Sequence, residues 1–237
     1  MNRRPTNKAP VNRIEAFADH DAMADAAAKV VAGALREAHR PSFVATGGTT
    51  PGPTYDRLSK AALDWGRVTI TLTDERWVDA ASPDSNERLI RERLLVGPAA
   101  VAHFLPLKAN GASPSQDAAT ADQALRRLEF FDAVLLGMGT DGHIGSLFPG
   151  APGLAEALDP RGEAFCVGVD MSGEKPFLPR ISLTLRAFLN SGLIVLLITG
   201  EEKRGVVERV SADGAYAPPV AAVLRQDETP VRILWAP

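Results

Sequence analysis

Short apolar runs alternate with longer stretches of helical periodicity along almost the whole chain, and this alternation limits the fold more than any single motif does. Strands are expected at 42–45, 68–72, near 101–105, and at 133–136, 165–169, 193–199 and 231–235. Helices are expected at 21–38, 53–63, 86–95, 115–128, 182–190 and 201–210. Strands joined through helices of this length pair in parallel by crossover rather than as hairpins. The expected fold class is therefore α/β, a doubly wound, mainly parallel sheet with helices on both faces. The 237 residues, 45% of them apolar, are enough to bury one sizeable core. Residues 13–237 read as a single domain and 1–12 as a flexible tail.

In a parallel sheet the carboxyl ends of the strands share one edge, where ligands bind. Four expected strand ends carry polar or glycine-rich segments: Thr46 to Pro51, Thr73 to Arg76, Gly137 to His143, and Gly200 to Lys203. Residues far apart in sequence can therefore line one cleft. Gly47 and Gly48 let backbone N–H groups approach an anion, and Thr49 and Thr50 add hydroxyl donors. The same loop also fits an ordinary tight turn, and no Lys-Ser/Thr pair follows to make it a nucleotide P-loop.

The third of these segments is the richest. Gly137, Gly139 and Gly142 match the spacing of a dinucleotide fingerprint, but Asp141 puts a negative charge where the pyrophosphate would lie, and the motif begins past the middle of the chain. Asp141 and His143 stand two residues apart in a glycine-bounded loop. A carboxylate so placed can accept from one ring nitrogen and leave the other as a base, a task suited to the one side chain that ordinarily titrates between pH 5 and 8. His20, His39 and His103 have no such neighbour and read as ordinary core or surface residues. One His and one Asp do not make a metal-ligand set, so no metal and no cofactor are expected. Asp74-Glu75-Arg76-Trp77 reads as a solvated charge run or as part of the cleft. Arg76 and Arg180 offer planar forks suited to phosphate. Lys203, unfavourably placed for the dipole in the first turn of a helix, gains a purpose if an anion lies nearby.

A net charge of −3 gives no basic footprint for nucleic acid, so the counter-charges for an anionic substrate must be local. Cys166, the single cysteine, excludes an internal disulfide. The first ten residues are polar, and no apolar run approaches the ~20 residues needed to span a bilayer. A soluble cytoplasmic protein without membrane or nucleic-acid partners is expected, either a monomer or a weak homo-oligomer.

Ordered motifs along most of the chain resemble the 6-phosphogluconolactonases of the pentose phosphate pathway. They are Thr46-Gly47-Gly48-Thr49-Thr50-Pro51; Thr73-Asp74-Glu75-Arg76-Trp77-Val78 with Asp84-Ser85-Asn86; Gly137-Met138-Gly139-Thr140-Asp141-Gly142-His143; Ser146-Leu147-Phe148-Pro149; Lys175-Pro176 to Pro179-Arg180-Ile181-Ser182-Leu183-Thr184; and Gly200-Glu201-Glu202-Lys203. Gly145 stands where an alanine or similar small residue is usual, and Thr46 where serine is. The resemblance implies a metal-independent hydrolase of 6-phospho-D-glucono-1,5-lactone on a sugar-phosphate isomerase/lactonase type of fold. It makes His143 the base with Asp141 beside it, and places Arg76, Arg180 and Lys203 in the substrate site. Gly47, Gly48, Thr49 and Asp74 complete the expected substrate-binding set.

Two other readings stay open. Glucosamine-6-phosphate deaminase/isomerases resemble this chain at Asp74 and at Asp141 to His143, but carry an acidic residue where Leu147-Phe148-Pro149 stands here. A non-catalytic sugar-phosphate sensor would keep Arg76, Arg180 and Lys203 and have no use for Asp141 paired with His143.

Overall fold

The structure, a computed structural model, describes residues 13–171 and 177–237. The expected tail at 1–12 and the Lys175-Pro176 pair lie outside these residues. In chain order the elements are β1 (Ile14–Ala16), α1 (His20–Glu37), β2 (Ser42–Ala45), α2 (Gly52–Leu58), β3 (Thr69–Leu72), β4 (Asp74–Arg76), α3 (Asn86–Arg93), β5 (His103–Phe104), α4 (Pro114–Arg126), β6 (Ala133–Gly137), α5 (Leu154–Ala157), β7 (Cys166–Val169), β8 (Arg180–Leu183), α6 (Leu185–Leu189), β9 (Ile194–Thr199), α7 (Gly200–Ala212), α8 (Pro219–Leu224) and β10 (Val231–Ala236). No helix among the described residues is long and apolar enough to cross a membrane.

Seven strands form one sheet in the order β1-β10-β9-β6-β2-β3-β5, and every neighbouring pair is parallel. Its central strands are apolar without alternation because both of their faces are covered: β2 is buried throughout, and β9 up to its last residue. From β2 the chain winds outward through β3 to β5, whereas from β6 it winds the other way through β9 to β10. Right-handed crossovers in opposite directions put α1 and α7 on opposite faces. The first is capped by Asp19, whose carboxylate accepts from Ala22 N–H at 2.8 Å, and buries Met23, Ala27, Val31 and Leu35 on one stripe. Because the winding reverses between the adjacent strands β2 and β6, their carboxyl-end loops diverge and leave a crevice between them.

A second, three-stranded antiparallel sheet, β4-β8-β7, stands over that edge. It corrects two sequence expectations. Thr73 to Arg76 is not simply the loop after β3, since Asp74 to Arg76 pair with β8. Nor is 182–190 one helix: 180–183 is strand, and Thr184 turns extended and caps α6 by accepting from Ala187 N–H. Local periodicity could not separate these states, because the ladder partners lie about a hundred residues apart in the chain. Three smaller departures are local. The helix expected at 53–63 ends at Leu58, Val101 lies in a 3-10 turn ahead of a two-residue β5, and the short elements β1 and α8 carry too few residues to show a period.

Candidate active site

The His143 loop is built by glycines. Gly139 N–H donates to the His143 carbonyl and Gly142 N–H to the Gly139 carbonyl, both at 3.0 Å, and Gly142 adopts φ +79°. A Cβ on Gly139 would lie 2.2 Å from His143 Nδ1 and 2.5 Å from Asp141 Oδ1, so only glycine lets this pair fold back over the turn. Asp141 Oδ1 stands 2.6 Å from Nδ1 and also accepts from the His143 backbone N–H at 3.1 Å. A carboxylate at Nδ1 holds the proton on that nitrogen and leaves Nε2 as the acceptor. The side chains of His143 and Asp141 are 29% and 49% exposed, which leaves the ring open to water and substrate.

The small sheet supplies the cations. In its register Arg76 lies directly opposite Arg180, and Asp74 opposite Ser182. Strand side chains alternate, so these four share one face while Glu75 and Ile181 point to the other. Like charges directly opposed destabilise a sheet unless an anion answers them. Both Arg76 and Arg180 also hold a buried Nε without a hydrogen-bond partner among the described residues. Burial pushes the Arg180 guanidinium below its ordinary range; nearby Asp74 opposes that shift and Arg76 adds to it. Arg76 donates through Nη1 to the Asp84 carbonyl at 2.7 Å.

Asp74 is buried and ties the pieces together. Its Oδ1 accepts from Thr73 Oγ1 at 2.8 Å and its Oδ2 from Ser146 Oγ at 2.6 Å, while Ser146 N–H donates to Ser182 Oγ at 3.1 Å. The loop after His143 is thereby fastened to the cationic face. One ring joins the two halves: Phe148 lies 4.4 Å from the His143 ring and 5.2 Å from the Arg180 guanidinium carbon.

The Gly47-Gly48-Thr49 loop follows β2 on the other side of the crevice. A Cβ on Gly47 would fall 1.9 Å from Asn86 Oδ1, and Asn86 in turn donates through Nδ2 to the Asp74 carbonyl at 2.8 Å. Gly48, at φ +90°, and Thr49 are exposed at the lip. Lys203 sits in the first turn of α7, three residues before Val206, whose Cγ1 would lie 3.5 Å from a Cβ on Gly142. Asp74, Arg180, His143 and Asp141 are thus linked through Phe148, with Arg76 opposite Arg180 in the register and Gly48 and Thr49 exposed after β2. Among the described residues no group of three or more His, Cys, Asp and Glu side chains is arranged to hold a metal ion.

Comparison with known proteins adds to this geometry. Residues 18–235 match the family model of glucosamine-6-phosphate isomerases/6-phosphogluconolactonase. The chain belongs to this family. Among its members, a 6-phosphogluconolactonase of Caulobacter vibrioides is 47% identical over 94% of this chain and 97% of its own, and one of Mesorhizobium japonicum is 40% identical over 94% of each. The crystal structure of a 6-phosphogluconolactonase from Shewanella baltica superposes with a TM-score of 0.89 at 37% identity, over 96% of this chain and 99% of that one.

Glu75, in a segment that reads from sequence as a solvated charge run or as part of the cleft, is buried. Glu75 Oε1 accepts from the N–H groups of Arg76 and Asn86, both at 2.7 Å. Its Oε2 accepts from Glu87 N–H at 2.7 Å and Ser85 Oγ at 2.9 Å. Burial pushes the Glu75 carboxyl upward, and these four donors, three of them at the N-terminus of α3 and the fourth in β4, offset that rise only in part. Replacing Glu75 with alanine orphans all four donors and is expected to destabilise the protein by about 3 kcal/mol or more. A urea unfolding curve checks this, and a loss under about 1 kcal/mol would show that water replaces the carboxylate. Ser146, Asn86 and Phe148 lay within recognisable motifs, but nothing in the sequence alone assigned their contacts.

Proposed function

We propose that this chain hydrolyses 6-phospho-D-glucono-1,5-lactone to 6-phosphogluconate, with His143 as general base. Its relatives are named as 6-phosphogluconolactonases at 40% to 47% identity over nearly their whole length. The observation that carries the mechanism is the His143–Asp141 pair standing one ring away from the opposed Arg76 and Arg180. Neutral His143 takes a proton from water through Nε2 as the hydroxyl adds to the lactone carbonyl. Backbone N–H groups of the glycine loops serve the tetrahedral oxyanion. As the bond from carbon to ring oxygen breaks, the imidazolium returns its proton to that oxygen, and the new carboxylic acid ionises into solvent. Asp141 keeps the ring in the working tautomer and steadies its charged form. Arg180, with Arg76 across from it, and Lys203 hold the phosphate, whose binding energy orients the ring.

The experiment is turnover of freshly generated lactone by the purified protein, with and without the phosphate group. Replacing Arg180 or Lys203 with alanine is expected to weaken kcat/KM on the phosphorylated lactone by about tenfold or more, and to change it little on plain gluconolactone. Equal losses on both substrates would assign these cations to the carbonyl or the fold. A wild-type protein that opens neither lactone would sink the functional reading itself.

A further inference from the structure

The Arg180 side chain is 19% exposed, and the carboxylate paired with it among the described residues, Asp74, is held at a distance. Arg180 Nη1 stands 3.9 Å from Asp74 Oδ2, an ion pair too long for a hydrogen bond, while Asp74 Oδ1 and Oδ2 each accept one hydroxyl, from Thr73 and Ser146. The guanidinium is bracketed by rings instead. Its central carbon lies 5.2 Å from the centroid of Phe148 and 5.2 Å from that of Phe177, and the two rings meet edge to face at 5.5 Å and 85°. A ring face attracts a cation without cancelling its charge and without using its N–H donors. Phe148 has a second contact, with the His143 ring at 4.4 Å and 44°.

We propose that Phe148 is a positioning residue for both ends of the site, holding Arg180 away from Asp74 so that its donors face the substrate phosphate, and fixing the plane of His143 toward the lactone carbon. The proposal rests on the base and phosphate assignments above. It makes Phe148 a specificity determinant as well. One rigid ring sets the separation of base and cation, so a phosphorylated lactone of different length cannot engage both. Without the ring, Arg180 has only a short distance to travel to hydrogen-bond Asp74, whose oxygens can each accept a second donor, and a phosphate would then have to compete with a carboxylate.

The test uses Phe148→Leu, which keeps apolar bulk without a π face, Phe148→Tyr, which keeps the ring at this half-buried position, and Phe177→Leu, which touches Arg180 but not the His143 ring. Binding of inorganic phosphate is measured by calorimetry, and kcat and KM on the lactone with and without its phosphate. Phe148→Leu is expected to weaken phosphate binding about tenfold, to raise KM for the phosphorylated lactone alone by a similar factor, and to lower kcat on both substrates. Phe177→Leu should lose phosphate affinity while keeping kcat on plain gluconolactone, and Phe148→Tyr should restore most of both properties. Native-like phosphate binding and kcat in folded Phe148→Leu overturns the proposal, as does a folded Phe148→Tyr no better than the leucine variant. If the wild-type protein binds phosphate but opens neither lactone, the functional reading fails, and the phosphate series still decides the role of the ring on Arg180.

Discussion

Replacing His143 with asparagine is expected to slow enzymatic lactone opening by about 10²-fold or more while leaving the protein folded. The side chain is partly exposed on a turn whose shape is set by Gly139 and Gly142, and its only polar partner within the turn is Asp141. Asparagine preserves polarity and approximate size but cannot carry a proton from water to the ring oxygen. Two measurements check this. The rate corrected for spontaneous hydrolysis, taken against an enzyme-free control at each pH, should fall. The acid limb that an imidazole base imposes on the wild-type pH–rate profile should vanish in the variant. A folded His143→Asn protein with near-native corrected activity would remove His143 from the role of base and turn attention to Asp74 or Asp141.

Converting Gly139 to alanine is expected to cost a similar factor, about 10²-fold in kcat, by displacing rather than deleting the base. The added Cβ would stand 2.2 Å from Nδ1 and 2.3 Å from Cε1 of His143, and 2.5 Å from Asp141 Oδ1, so neither side chain can keep its place. Gly139 is not among the glycines at positive φ, so alanine fits its backbone and the effect isolates the steric contact. The melting temperature should therefore move by only a few degrees. A double variant makes the test sharper. Where His143 is already asparagine, adding Gly139→Ala should change the rate little, because both substitutions act through one group. Additive losses would mean that the glycine serves something other than the imidazole.

Much of this protein could be read without coordinates. The buried runs expected at 42–45 and 193–199 are legible because strands covered on both faces need no alternation, and the helices at 21–38, 86–95 and 201–210 are legible from their apolar spacing. The Asp141–His143 pair was equally legible, since its partners lie two residues apart and the glycines that shape the turn lie between and beside them. Local sequence sufficed wherever the interacting groups were neighbours in the chain. It failed at the small sheet. Asp74, Glu75 and Arg76 are three charged residues in a row whether they are solvated or buried, and 182–190 has apolar spacing that suits a helix or a strand followed by a helix. Only the antiparallel register between β4 and β8 puts Arg76 opposite Arg180, turns Glu75 away to the N-terminus of α3, and sets Asp74 against Ser146. The sequence by itself therefore determined the mainly parallel sheet, the strand ends that line its edge and the histidine turn. The tertiary structure decided the cationic face, which rests on a strand pairing across about a hundred residues, and the ring that links it to the base, whose contact with Arg180 spans about thirty residues and leaves no periodic trace.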